Sequence, residues 1–285
     1  MDQVTGRARL LAMAFALATA GSPAIARDRA LPALAAGDRY VAMGSSYAAG
    51  PGVGTAAEGP ARCGRGQLSY PHLVAAALSL TLVDATCSGS TTEHVLGPWG
   101  ELPPQIDAVD AETRLVTITS GGNDIGFVRN LFAAACATMP ADGRPAQCPT
   151  AQRPTAADWT ALEARMHRIA AEVRRRAPRA RLVFVDYATI LPARGGCAAL
   201  QGAPADLDAS RKDALRLAAL TARVARQEGA LLLTASRLTA GHGPCDADPW
   251  SFGSTAPQGS VPVHPGPKAH AAIAETLVAR LAAGR

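Results

Sequence analysis

After its first twenty residues the chain has no uninterrupted apolar run near the roughly 18 residues needed to cross a bilayer, which excludes a later membrane span. No period recurs along the chain, which excludes solenoids and propellers. Aromatic residues make up only 4% of the 285 residues, and none is interleaved with arginine as a nucleic-acid stacking platform requires. Lysine is nearly missing, with only Lys212 and Lys268 present, so the net charge of +5 rests almost wholly on arginine. Alongside abundant Ala, Gly and Pro, this reads as coding bias rather than adaptation to an anionic partner. The densest basic run, Arg174-Arg175-Arg176, continues an amphipathic pattern and is expected on a solvated helix face. No cysteine pair has the Cys-x-x-Cys spacing favoured by structural zinc sites, and no metal is expected.

Hydrophobic residues supply 48% of the chain, enough for a sizeable core. Arg7 and Arg9 precede an apolar stretch from Leu10 to Ala20, and Ala24-Ile25-Ala26 offers small residues for cleavage. That three-part pattern reads as a secretory signal peptide over residues 1–26, leaving 27–285 as one domain without stable membrane insertion. An exported chain meets an oxidising compartment, where six cysteines imply three disulfides, although six allow 15 pairings.

Strand and helix signals alternate. Tyr40 to Met43, Leu82-Val83, Leu115 to Thr119, Leu182 to Val185 and Leu231 to Leu233 read as buried strands. Tyr70 to Leu80 suits a helix. From Trp159, Leu162, Met166, Ile169 and Val173 recur at helical spacing until Pro178. Ser210 is placed as the cap of a helix carrying Leu217, Leu220 and Val224, with Gly229 at its end. Ala269 to Leu281 forms the last helix. The alternation predicts a three-layer α/β/α fold around a doubly wound parallel sheet. In such folds ligands bind beyond the carboxyl ends of the strands.

Four segments lie at those places. Gly44-Ser45-Ser46 follows the first strand and can project a hydroxyl. Cys87-Ser88-Gly89-Ser90 follows the second, where a glycine lets a backbone amide approach a ligand. Gly121-Gly122-Asn123-Asp124 follows the third and offers a side-chain amide donor. Val263-His264-Pro265 precedes the last helix and supplies a candidate base. Each alone is ordinary turn chemistry. In the order Ser, Gly, Asn, His, the chain resembles the SGNH hydrolase superfamily, the GDSL-type esterases and lipases. It looks most like their secreted actinobacterial branch with three disulfides, from about Tyr40 to His270.

The resemblance implies a flavodoxin-like sheet and cofactor-free hydrolysis of carboxylic esters; the expected partner is a small-molecule or lipid ester, and the exported chain is expected to be a monomer. It implies Ser46 as nucleophile, His264 as base, and an oxyanion hole made by the Ser46 amide, the Gly89 amide and the Asn123 side chain. It likewise implies the sequential pairing Cys63–Cys87, Cys136–Cys148 and Cys197–Cys245. Two positions depart from the family pattern. Ser45 stands where the motif has aspartate, and Val261 stands where the aspartate three residues before the histidine is usual. The Val261 backbone carbonyl is therefore expected to orient His264, with Asp246 or Asp248 as substitutes. Phospholipase or carbohydrate deacetylase activity at the same site is an alternative, as is a binding protein with weakened catalysis. A metal-dependent hydrolase built on His242, Cys245, Asp246 and His264 is a further alternative.

Overall fold

A computed structural model describes residues 1, 33–142 and 144–283. Apart from Met1, the leader expected over residues 1–26 lies outside the described residues. In chain order the elements are β1 (Arg39–Gly44), α1 (Ser46–Ala49), α2 (Tyr70–Leu78), β2 (Thr81–Asp84), α3 (Thr92–Leu96), β3 (Thr113–Thr119) and α4 (Phe127–Thr138). There follow α5 (Ala156–Arg176), β4 (Arg181–Val185), α6 (Pro204–Gln227), β5 (Leu231–Leu233), α7 (Ala235–Leu238) and α8 (Pro267–Ala283).

The five strands form one parallel sheet in the order β2-β1-β3-β4-β5, the flavodoxin-like arrangement whose crevice opens where the order reverses. Successive side chains on a strand point to opposite faces, and the core divides accordingly. Tyr40, Ala42, Leu115, Val183 and Val185 pack against α2 and α8 through Val74, Ile273 and Leu277. Val41, Met43, Val116, Ile118 and Phe184 pack on the other face against Leu131 of α4, Leu162 and Ile169 of α5, and Leu217 and Val224 of α6. Each large apolar side chain so buried contributes about 1.5–3 kcal/mol, which is why continuous apolar strands are stable only with both faces covered.

One expected boundary is wrong. The helix capped in expectation by Ser210 begins at Pro204 instead. Proline in the first turn brings a preset φ and forfeits no helical hydrogen bond. Ser210 lies inside that helix, buried, where its Oγ accepts from Arg153 Nη1 at 3.2 Å. Three disulfides close loops of 24, 12 and 48 residues in the sequential pairing. In the chain-entropy account each contributes roughly 3–4 kcal/mol by restricting the unfolded chain.

His270 of α8 is completely buried, and its Nδ1 accepts the Tyr70 backbone N–H at 3.1 Å. Burial, reinforced by His264, pushes its pKa down to about 3. An unfolded histidine titrates near 6.5, so between about pH 6.5 and 3 the unfolded chain binds the extra proton. Stability therefore falls as pH drops through that window. Urea midpoints measured across it should decrease steadily, and His270→Gln, which keeps an acceptor but does not titrate, should flatten the slope.

Candidate active site

The site begins where β1 stops. Gly44 has φ +128°, and a Cβ there would lie 2.2 Å from the Thr119 carbonyl oxygen, so only glycine permits this approach of β1 to β3. Ser45 N–H then donates to that same carbonyl at 2.9 Å. The buried Gln105 side chain accepts from Gly44 N–H at 2.7 Å and donates to the Gly44 carbonyl at 3.1 Å. The chain turns at once into α1, whose first residue is Ser46.

Ser46 Oγ donates to His264 Nε2 at 2.7 Å across 218 positions of sequence. Both residues are buried. The approach to His264 is held by a short antiparallel contact. Phe252 N–H donates to the His264 carbonyl at 2.9 Å, Val263 N–H to Gly253 at 2.8 Å, and Gly266 N–H to Trp250 at 2.7 Å.

The group facing the other ring nitrogen differs from expectation. His264 Nδ1 lies 2.8 Å from the carbonyl of Pro262, not that of Val261. The reason is local. Val263 adopts φ +53°, which folds the chain back so that the carbonyl two residues earlier meets the ring. Asp246 and Asp248 do not reach it either. Asp246 accepts from Gly243 N–H at 2.8 Å, while Asp248 is taken up by Lys268 at 2.5 Å and the Trp250 indole N–H at 2.8 Å. A carbonyl only accepts, so the proton sits on Nδ1 and leaves Nε2 to accept from Ser46. Burial lowers the His264 pKa below its ordinary value, opposed in part by the Pro262 hydrogen bond. The ring is therefore neutral at neutral pH, with the Nε2 lone pair facing Ser46 Oγ.

Where the family motif has aspartate, Ser45 uses its hydroxyl differently. Its Oγ lies 2.8 Å from the Tyr187 hydroxyl, which also accepts from Gly122 N–H at 2.9 Å. Tyr187 packs so closely that a Cβ on Gly122 would fall 2.5 Å from its ring. One phenol thus ties the exits of β1, β3 and β4.

The expected donors occupy neighbouring loops at this end of the sheet. Cys87 N–H and Ser90 Oγ both donate to the Gly44 carbonyl at 2.9 Å, and Asn123 Nδ2 donates to the Ser90 carbonyl at 2.9 Å. These bonds lock the loops of Ser46, Gly89 and Asn123 together. Among the described residues the Ser46 and Gly89 amides have no internal acceptor. An Asn amide has two N–H groups, so Asn123 retains a second donor. Asp124 accepts from Thr92 N–H at 3.0 Å and Arg165 at 3.1 Å, which anchors the Asn123 loop to α3 and α5.

The alternative metal set does not assemble, because Cys245 is bonded to Cys197 and His242 stacks on Trp250 at 3.6 Å. Four contributors escaped the sequence reading: Tyr47, Gln105, Tyr187 and Pro262. Tyr187 lies two residues beyond the end of β4, and the strand-exit rule applied there would have singled it out. Gln105 and Pro262 carry no comparable signal.

Residues 42–272 match the GDSL-like Lipase/Acylhydrolase family. The chain is 32% identical to a lipase of Streptomyces rimosus over 256 residues, covering 89% of this chain and 88% of that one. The crystal structure of the extracellular lipase from Streptomyces rimosus superposes with a TM-score of 0.67 at 26% identity, covering 87% of this chain and 99% of that one. Phospholipase A1 from Streptomyces albidoflavus superposes equally well, with a TM-score of 0.67 at 25% identity over 88% of this chain and all of that one.

Two outcomes are expected from this geometry. Tyr187→Phe leaves the buried Gly122 N–H without its acceptor, a loss of about 1–3 kcal/mol, measurable by urea unfolding. Because burial holds His264 neutral, the acid limb of a kcat/KM profile should lie below pH 6.5, the ordinary histidine value.

Proposed function

The chain belongs to the GDSL-like lipase/acylhydrolase family and is a hydrolase of that kind, and we propose that it is a secreted serine esterase or lipase working through a Ser46–His264 dyad completed by a carbonyl. The single observation carrying the proposal is the 2.7 Å hydrogen bond from Ser46 Oγ to His264 Nε2, with a carbonyl on the far side of the ring.

The reaction follows from the proton positions. His264 Nε2 takes the Ser46 proton as Oγ attacks an ester carbonyl carbon. The resulting oxyanion is met by the Ser46 and Gly89 amides and the Asn123 side chain, fixed before the substrate arrives. His264 then gives its proton to the leaving alcohol, and water enters by the reverse relay to release the acid. The Pro262 carbonyl maintains the useful tautomer. It stabilises the imidazolium less than a carboxylate does, and the low His264 pKa reflects that environment. No cofactor enters any of these steps.

Export is supported by the leader pattern before residue 27, by three disulfides, and by the extracellular relative. Among the described residues no helix is long and apolar enough to cross a membrane. A phospholipid ester is the second reading, favoured by the likeness to phospholipase A1.

The test is hydrolysis of p-nitrophenyl esters of graded chain length, alongside fatty-acid release from phosphatidylcholine vesicles. Ser46→Ala should lower turnover by at least about 10³-fold, and Asn123→Ala by about 10²–10³-fold. Equal rates for the wild type and Ser46→Ala would instead identify a binding protein. Faster turnover of vesicle lipid than of any simple ester would select the phospholipase.

A further inference from the structure

Tyr47 follows the nucleophile on α1, yet its side chain does not point to solvent: it is buried at 2% exposure. Its hydroxyl donates to the Val263 carbonyl at 2.8 Å, across 216 positions of sequence. The ring lies 5.1 Å from the His264 ring and 4.5 Å from that of Tyr187. Tyr187 is itself pinned by Ser45 and Gly122, so the Tyr47 ring is backed by a fixed surface. Burial, with Tyr187 beside it, raises the Tyr47 pKa well above 10. The hydroxyl is therefore a permanent donor.

Val263 needs such a donor. A β-branched residue at φ +53° is a backbone outlier, and it persists only where the surroundings enforce it. That torsion also sets where the Pro262 carbonyl points relative to His264. If φ relaxed to a negative value, the Pro262 oxygen would swing away from Nδ1. The Val263 N–H is held by Gly253. Its carbonyl is held by Tyr47.

We propose that Tyr47 is a positioning residue, whose hydroxyl clamps the Val263 carbonyl and thereby locks the strained turn that aims the Pro262 carbonyl at His264 Nδ1. The clamp does the orienting work that a carboxylate three residues before the histidine does in the family pattern. It rests on the reading of Ser46 and His264 as the reacting pair. It links nucleophile and base through the backbone: the residue next to one holds the residue next to the other.

Tyr47→Phe removes one oxygen and keeps the ring. Its ester kcat should fall by about 10–100-fold with KM within about two-fold, the size expected for a misplaced catalytic group. Glycine adopts positive φ without penalty, so Tyr47→Phe combined with Val263→Gly should recover much of the lost kcat. A purely structural role for the hydroxyl would not produce that recovery. Proton NMR gives a readout independent of turnover. The His264 Nδ1 proton, hydrogen-bonded in the wild type, should exchange faster and broaden in Tyr47→Phe, then sharpen in the double variant. Unchanged kcat and an unchanged Nδ1 signal in Tyr47→Phe would overturn the proposal, as would a double variant with no recovery of either. A wild type that hydrolyses no ester, but whose Nδ1 proton still responds to Tyr47→Phe, would reject the proposed function and leave the clamp standing.

Discussion

The hydrogen bond between Ser46 Oγ and His264 Nε2 joins two residues 218 positions apart, and most of the fold's geometry is needed to keep it. A hydroxyl becomes a nucleophile only when a base accepts its proton at about 3 Å. The parallel sheet delivers the hydroxyl because β1 ends at its carboxyl edge, where Gly44 lets the chain turn beside Thr119. The imidazole arrives from the opposite end of the chain. It is carried by the segment before α8 and pinned by backbone bonds to residues 250–253.

Two carboxylates of the family pattern are missing, and different groups meet the two needs. At the β1 exit, Ser45 and Gly122 share the Tyr187 hydroxyl, so a neutral phenol braces the loop. Behind the His264 ring, the Pro262 carbonyl accepts a hydrogen bond from Nδ1–H. A neutral acceptor avoids burying an unpaired anion, which would be costly in this desolvated setting. The cost appears in basicity. With no carboxylate beside it, burial dominates and the histidine pKa falls.

Two of the three disulfides brace loops around the site. Cys63–Cys87 holds the chain immediately before Gly89. Cys197–Cys245 ties two loops on the His264 side of the site, where Ser254 N–H donates to the Ala199 carbonyl at 2.8 Å and the bordering Gly253 carbonyl receives Val263 N–H. Loops of this kind lack the periodic backbone bonding of helices and strands. Cross-links supply the restraint that catalytic geometry needs.

The strands were legible because burial on both faces demands continuous apolar runs, as at Leu115 to Thr119. The long helices were legible because burial on one face demands a 3.6-residue period, as from Leu162 to Val173. The helix start at Pro204 was missed, since Ser210 offers an equally good local cap signal and only its burial against Arg153 decides between them. Ser46 and His264 were legible because strand-exit loops gather in this topology. The group orienting His264 was not. Neighbouring carbonyls look identical in sequence, and the choice of Pro262 over Val261 rests on one torsion at Val263, which is held by the Gly253 carbonyl ten residues earlier and by the Tyr47 hydroxyl 216 positions away. Periodic patterning alone thus determined the layers and brought the reactive loops to one edge. Which atoms face each other across that edge depended on torsions stabilised by long-range contacts, and only the tertiary structure decided them.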